Sequence, residues 1–190
     1  MMDSRLSQLE RLPSPPGRVL FLGDSITEDG EWAEWFPELA CLNRGVGGDT
    51  VEGVRRRLAW TVNEPVAISL LIGTNDLSGA GETTDPRGIA AQTRRLLEEL
   101  RTAAPNAPIF VNGVMPRTTA RREEIQELNR HYRQLAKDGG ATYVDVWPVL
   151  ADENGALRRE MTYDQLHLTG AGYVAWTNIL RPLLLPFSRR

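Results

Sequence analysis

"VLFLGDSITEDG", residues 19–30, begins as an apolar run and then changes abruptly to a glycine, an acid and a hydroxyl. The apolar part, 19–22, is typical of a strand that is covered on both faces of a parallel sheet. A plain turn is one explanation for Gly23, Asp24 and Ser25. The other is a serine nucleophile held at the edge of the sheet, and the remainder of the chain decides between them.

Apolar runs of the same kind recur and alternate with helical patterns. Strands are predicted at 18–23, 41–45, 66–73, 108–114 and 141–146. Helical periodicity occupies 89–100, 125–135 and 173–180, and Asp85-Pro86 is typical of a helix start. Alternation of strands and helices predicts an α/β fold with a doubly wound parallel sheet.

One domain accounts for most of the 190 residues. Residues 1–17 are predicted to be an N-terminal extension, with a short amphipathic helix over 3–12 and a proline-rich connector at 13–17. Residues 18–190 then form a single α/β domain.

Composition excludes several classes of function. The net charge is -3 and the 22 basic residues are scattered, so we expect no nucleic-acid partner. The short basic run 55–57 is interpreted as a solvated helix face. Cys41 is the only cysteine, which excludes an internal disulfide. We find no apolar segment of signal-peptide or membrane-spanning length, and therefore expect a cytoplasmic protein without stable membrane association.

Polar residues follow the predicted strands, at the edge where ligands bind in sheets of this class. A serine at this edge needs a base to take its proton, and the base needs an orienting group. His131 lies in a helical stretch and is expected near its surface, whereas His167 lies in a loop three residues after Asp164. Asp164 can reach Nδ1 of His167 and leave Nε2 for Ser25. The alternative, a helix-start aspartate with an incidental histidine, is a weaker explanation.

Acyl transfer also needs hydrogen-bond donors for the developing oxyanion. The stretch 47–54 resembles a helix start, where backbone N–H groups are unpaired, and Gly48 allows substrate to approach the chain closely. The side-chain amide of Asn75 is a second candidate donor. Each of these residues could instead be a turn residue, and the turn and donor roles are compatible.

Four ordered blocks together resemble the SGNH hydrolase superfamily, which includes the GDSL esterases. They are "GDSIT" (23–27), "NRGVGGDT" (43–50), "GTND" (73–76) and "DQLH" (164–167). The resemblance extends over nearly the whole chain. The second block and the compact length look most like the platelet-activating-factor acetylhydrolase-like branch.

The resemblance implies a three-layer α/β/α, flavodoxin-like fold with five parallel strands in the order 2-1-3-4-5. It implies hydrolysis through an acyl-serine without a metal or organic cofactor. The implied triad is Ser25, His167 and Asp164, and the implied oxyanion hole is formed by Ser25, Gly48 and Asn75. The sequence departs from the usual final block at Gln165, where the family commonly has a glycine or another small residue.

The substrate is predicted less closely than the chemistry. The segments after the strands are short, which favours an esterase for acetyl and other short acyl groups, with Met115, Pro116 and Arg117 as candidate substrate-binding residues. An acetylated sugar and a lipid-like ester both remain open as substrates, as does a homodimer. Trp32 and Trp35 are interpreted as core residues rather than as a sugar platform.

Three further readings remain open for the same site: an acyltransferase, a thioesterase or lipase, and an inactive module that binds a sugar or acyl group. A metal-dependent phosphoesterase using Asp24, Asp49, Asp76 and His167 is weaker, because the sequence lacks paired-ligand spacing.

Overall fold

The five predicted apolar runs form one parallel sheet in a computed structural model that describes residues 4–188. The strands are β1 (Val19–Gly23), β2 (Cys41–Gly45), β3 (Ala67–Leu71), β4 (Ile109–Asn112) and β5 (Thr142–Val144). Their order is β2-β1-β3-β4-β5, and every pairing is parallel. The predicted fold class and strand order are therefore confirmed.

Helices connect the strands and cover both faces of the sheet. They are α1 (Ser4–Leu9), α2 (Ser25–Glu28), α3 (Trp32–Trp35), α4 (Val51–Arg56), α5 (Leu58–Thr61), α6 (Thr74–Leu77), α7 (Pro86–Ala103), α8 (Arg122–Asp138), α9 (Trp147–Leu150) and α10 (Gly170–Leu184). The predicted start of α7 is confirmed, since the side chain of Asp85 accepts from Gly88 N–H at 3.0 Å. Thr169 directly precedes α10, and its hydroxyl donates to the Glu160 carbonyl instead of capping the helix.

Two hydrophobic clusters lie on opposite faces of the sheet, as the three-layer expectation requires. Along β1, Leu20 and Leu22 belong to the cluster covered by α4, α7 and α8. Val19 and Phe21 belong to the other cluster, which α3, α9 and α10 cover. This alternation follows from the two-residue period of a strand. Because β1 is buried on both faces, its consecutive residues are all apolar.

The N-terminal helix is shorter than predicted and packs against the domain. Over the predicted span 3–12, the structure has a helix only at Ser4–Leu9, and residue 3 lies outside the described part of the chain. Leu9 has 1% of its surface exposed. From the connector, the Ser14 hydroxyl donates to the Thr61 carbonyl at 2.6 Å. The extension is thus joined to the sheet domain by both apolar and polar contacts.

Candidate active site

Ser25 is the first residue of α2 and comes two residues after the end of β1. Gly23 allows this sharp turn, because a Cβ there would lie 2.2 Å from the Leu71 carbonyl oxygen on the neighbouring strand. Asp24 precedes the helix, and its Oδ1 accepts from Ile26 N–H at 3.0 Å. A short acceptor at this position satisfies one of the unpaired N–H groups of the first turn. The Ser25 hydroxyl is therefore presented at the carboxyl edge of the sheet.

The structure places the two other predicted triad residues in line with this hydroxyl. Ser25 Oγ lies 2.9 Å from His167 Nε2, and His167 Nδ1 lies 2.6 Å from Asp164 Oδ2. Asp164 Oδ1 also accepts from the backbone N–H groups of Leu166 and His167, at 2.9 and 2.7 Å. The carboxylate therefore fixes both the imidazole ring and the backbone of its own turn.

A threonine and a left-handed residue shape this turn. Thr162 Oγ1 donates to the His167 carbonyl at 2.7 Å and accepts from Gln165 N–H at 2.9 Å. Gln165 has φ +68°, a conformation that favours glycine. The backbone thus gives a physical reason for the small residue that the resembled family commonly has there.

The hydrogen bonds around Asp164 determine its ionisation. Burial tends to raise the pKa of Asp164, but hydrogen bonds from the His167 ring and from two backbone N–H groups outweigh it. The pKa of Asp164 is therefore held below its ordinary value, and the carboxylate is negative at neutral pH. A negative carboxylate at Nδ1 keeps the proton on that nitrogen and leaves Nε2 as the acceptor.

The glycine-rich loop after β2 lies against Ser25. A Cβ at Gly47 would lie 3.9 Å from the Cβ of Ser25, and the N–H of Gly47 donates to Glu28 Oε2 at 2.6 Å. Gly48 is exposed and has φ +74°. Apart from its chain neighbours, no heavy atom of the described residues lies within 4 Å of the position that a Cβ at Gly48 would take. Gly48 thus borders the open side of the site. The predicted helix start beyond it is confirmed as α4, whose first turn is capped by Thr50.

Asn75 lies in α6, directly after β3, and faces the same loop. Its Nδ2 donates to the Asp49 carbonyl at 2.9 Å, which fixes the plane of the amide. The preceding Gly73 has φ +118°, and a Cβ there would lie 2.6 Å from the Tyr132 hydroxyl. The tight turn between β3 and α6 therefore requires a glycine and brings Asn75 to the sheet edge.

Buried charged groups underlie the site, and sequence reasoning missed how they pair. Arg57 has 3% of its side chain exposed, and its Nε lies 2.8 Å from Asp49 Oδ2. Its Nη2 donates to the Gly23 carbonyl at 3.0 Å. The predicted solvated face is therefore wrong for Arg57, although Arg56 is 75% exposed. Burial lowers the pKa of Arg57, and Asp49 opposes that effect.

Two carboxyl groups of this layer have raised pKa values. Burial raises the pKa of Asp24 to about 7, and nearby Asp49 adds to that effect. Burial likewise raises the pKa of Asp76 to about 6, against the hydrogen bond that Val51 N–H donates to its carboxylate. Asp76 follows Asn75 in the third block, so its proximity to the site was a signal in the sequence. Asp49 lies in the second block and gave the same signal, whereas Arg57, eight residues later, gave none.

The predicted substrate-binding residues differ in exposure. Met115 has 2% of its surface exposed and belongs to the core cluster around α10, and Pro116 is also buried. Arg117 is half-buried and donates to Ser78 Oγ at 2.6 Å, which links the segments after β3 and β4. Trp32 is a core residue, as interpreted, and stacks on Phe21 with ring centroids 4.0 Å apart.

Neither a metal cluster nor a membrane span occurs in the described part of the chain. Within residues 4–188, no group of three or more His, Cys, Asp or Glu side chains is arranged to hold a metal ion. The carboxylates named for that alternative accept hydrogen bonds from protein groups instead. Of the helices described above, none combines the length and apolar character needed to cross a bilayer.

Comparisons with known proteins identify a family whose model covers most of the chain. Residues 21–175 match the model of the GDSL-like Lipase/Acylhydrolase family. Platelet-activating factor acetylhydrolase IB subunit alpha2 of Rattus norvegicus is 30% identical over 178 residues, which cover 88% of this chain and 76% of the relative.

Solved structures show the same architecture. A protein of Streptococcus pneumonia, provisionally described as a platelet activating factor, has a TM-score of 0.83 at 27% identity, covering 93% of this chain and 88% of that chain. A catalytic mutant of an acetylxylan esterase from Geobacillus stearothermophilus has a TM-score of 0.74 at 20% identity, covering 94% of this chain and 99% of that chain. The second similarity concerns the fold alone.

Proposed function

The chain belongs to the GDSL-like lipase/acylhydrolase family, within the SGNH hydrolases, and we propose that it hydrolyses short-chain, acetyl-like carboxylic esters through an acyl-serine intermediate. The observation that carries the proposal is the continuous hydrogen-bonded line from Ser25 Oγ through the His167 ring to Asp164. A serine hydroxyl becomes an effective nucleophile only with such a base and orienting group.

The reaction then proceeds in two halves. In the first, Ser25 Oγ attacks the ester carbonyl carbon while His167 Nε2 accepts the hydroxyl proton. The tetrahedral intermediate collapses, the C–O bond to the alcohol breaks, and His167 returns its proton to the leaving oxygen. In the second half, His167 removes a proton from water, the resulting hydroxyl attacks the acyl-serine, and the carboxylic acid leaves as Ser25 recovers its proton.

We assign the oxyanion hole to the N–H groups of Ser25 and Gly48 and to the amide of Asn75. Ser25 N–H begins a helix, where N–H groups have no partner within the helix. Gly48 is exposed beside the nucleophile, whereas the N–H of its neighbour Gly47 is engaged by Glu28. Asn75 uses one amide hydrogen on the Asp49 carbonyl, and its second amide hydrogen is the one assigned to the oxyanion.

The preference for short acyl groups is supported by the scarcity of apolar surface near the serine. Met115 and Pro116, the apolar residues after β4, are buried in the core. Exposed large hydrophobic side chains in the described part are few, and of these Tyr163 stacks near His167. A long acyl chain would need its own apolar contact surface, at about 0.8 kcal/mol for each buried methylene. The relative's name, an acetylhydrolase, agrees with a short acyl group.

The test is kcat/KM across p-nitrophenyl acetate, butyrate, octanoate and palmitate. We expect acetate or butyrate to be the best substrate, and Ser25→Ala to lower kcat by about 10⁴-fold or more while the protein stays folded. An optimum at octanoate or palmitate, corrected for solubility, would replace the short-chain proposal with a lipase or thioesterase. Substantial hydrolysis by a folded Ser25→Ala variant would overturn the nucleophile assignment.

A further inference from the structure

The glycine loop after β2 is held in place by a carboxylate that the reaction itself does not use. Glu28, at the end of α2, accepts from Gly47 N–H through Oε2 at 2.6 Å. The end of β2, which leads into this loop, is fixed by Asn43, whose Oδ1 accepts from Gly45 N–H at 2.9 Å and whose Nδ2 donates to the Glu28 carbonyl at 2.8 Å. Hydrogen bonds between side-chain and main-chain groups thus tie α2 to the glycine loop and to the strand end before it.

The end of β2, from which this loop begins, packs closely on the end of α2. A Cβ at Gly45 would lie 2.0 Å from Glu28 N, so the two backbones leave no room for a side chain there. Gly47 is in ordinary van der Waals contact with the candidate nucleophile, since a Cβ at Gly47 would lie 3.9 Å from the Cβ of Ser25. Because the N–H of Gly47 already donates to Glu28, the oxyanion donor that we propose in this loop is the N–H of the next residue, Gly48.

An arginine of the N-terminal helix reaches the end of β2, where the same loop begins. Arg5 Nε lies 3.3 Å from the Gly45 carbonyl oxygen, and Arg5 Nη2 lies 3.4 Å from that of Asn43. Arg5 Nε is also 3.8 Å from Glu28 Oε1. Leu9, one turn further along α1, is buried in the domain and anchors this helix. Arg5 therefore joins the N-terminal extension to the carboxylate that holds the loop after β2, residues 46–50, which we call the oxyanion loop.

We propose that Glu28 and Arg5 are positioning residues for the oxyanion loop, so that the N-terminal helix contributes to the rate of ester hydrolysis. The proposal rests on the proposed function, in which Gly48 N–H stabilises the oxyanion. An oxyanion donor acts mainly in the transition state, so its displacement lowers kcat more than it changes KM. Neither Glu28 nor Arg5 touches the reacting atoms in this scheme.

The test uses the full chain and p-nitrophenyl acetate, with kcat, KM and Tm measured for each variant. Glu28→Ala removes both the acceptor for Gly47 N–H and the charge that faces Arg5, and we expect kcat to fall about 10- to 100-fold with KM changed less than about threefold. Glu28→Gln keeps an acceptor oxygen, so it should restore most of kcat. Arg5→Ala should lower kcat by about two- to fivefold, as for a partly exposed ion pair.

Matched controls come from exposed residues of the same charge. Glu34→Ala in α3 and Arg11→Ala in the N-terminal segment should leave kcat and KM unchanged. If Glu28→Ala has the kcat of Glu34→Ala, or raises KM with kcat intact, the positioning role is overturned. If Glu28→Ala does not fold, wild-type kcat in both Glu28→Gln and Arg5→Ala would overturn it, whereas a reduced kcat in Arg5→Ala at unchanged Tm would support it.

Failure of this inference is separable from failure of the proposed function. An inactive, folded Ser25→Ala together with a fully active Glu28→Ala would retain the acyl-serine mechanism and remove only the positioning role. Retained activity in Ser25→Ala would remove the mechanism and the positioning role together.

Discussion

Replacing Asp24 by asparagine should change how the stability of the protein depends on pH. Asp24 is buried directly beneath the nucleophile. Its Oδ1 accepts from Ile26 N–H, and its Oδ2 has no hydrogen-bond partner in the described part of the chain. Burial without full hydrogen bonding disfavours the charged form, which raises the pKa from its ordinary value of 3.8 to about 7. Asparagine has a similar size and keeps an oxygen for Ile26 N–H, but it does not titrate.

The direction of this pH dependence follows from how many protons the folded and unfolded states bind. Between the two pKa values the folded state holds a proton on Asp24 that the unfolded state has lost, so the free energy of unfolding falls as the pH rises. The stability that protonated Asp24 contributes is fully present below pH 3.8, declines as the pH rises through about 7, and stays constant above that. A pKa difference of this size corresponds to about 4 kcal/mol in all, of which about 2 to 3 kcal/mol is lost between pH 5 and pH 8.

The assay is urea unfolding followed by tryptophan fluorescence, at pH 5 and at pH 8, for wild type and Asp24→Asn. The free energy of unfolding of wild type should fall by about 2 to 3 kcal/mol relative to that of the variant over this interval. Asp138→Asn, which removes an exposed carboxyl, should leave the pH dependence of wild type unchanged. A wild-type to Asp24→Asn difference that is equal at the two pH values would refute the argument that the folded state keeps Asp24 protonated.

Three further predictions concern the candidate site and the turn that holds Asp164 and His167. Asn75→Ala should lower kcat by about 10²–10³-fold with a smaller change in KM, and a raised KM at unchanged kcat would instead indicate ground-state binding. Asp164→Ala should lower kcat by less than His167→Ala, as expected when a residue orients the base without itself taking the proton; equal losses in steady-state assays would contradict this. Gln165→Gly should stabilise the fold by up to about 1 kcal/mol in calorimetry, because it relieves a left-handed residue, whereas Gln165→Val should destabilise it.

The fold could be predicted from the sequence because each strand carries its own signal. A strand covered on both faces needs consecutive apolar residues, and the runs around 19–22 and 67–72 satisfy that requirement locally. The proposed nucleophile and base could be predicted for a related reason. Ser25 follows a strand directly, and Asp164 and His167 lie within one turn of each other. Short-range patterns of this kind need no knowledge of tertiary contacts.

The layer beneath the site could not be predicted in the same way. Arg57 stands in a run of three arginines, and such a run is ordinarily solvated, yet only this one turns inward to Asp49 and the Gly23 carbonyl. Glu28 reads as an unremarkable helix end until the loop after β2 brings Gly47 N–H to its carboxylate. Both assignments depend on which loop packs against which helix, and no local periodicity encodes that choice.

Gly23 and Asp24, which end the first apolar run, are each required for a different physical reason. Gly23 is required sterically, since the neighbouring strand leaves no room for a Cβ. The oxygen of Asp24 is required as an acceptor for Ile26 N–H at the start of α2, and asparagine would meet that need equally well.

What asparagine cannot supply at this position is a negative charge. His167, when protonated, attracts the Asp24 carboxylate and lowers its pKa against the effect of burial. In the proposed reaction, proton transfer from Ser25 creates that imidazolium, and we expect a charged Asp24 to stabilise it while destabilising the resting fold. A comparison of kcat at pH 8 between wild type and Asp24→Asn separates the two uses, because equal rates would identify the residue as a cap alone.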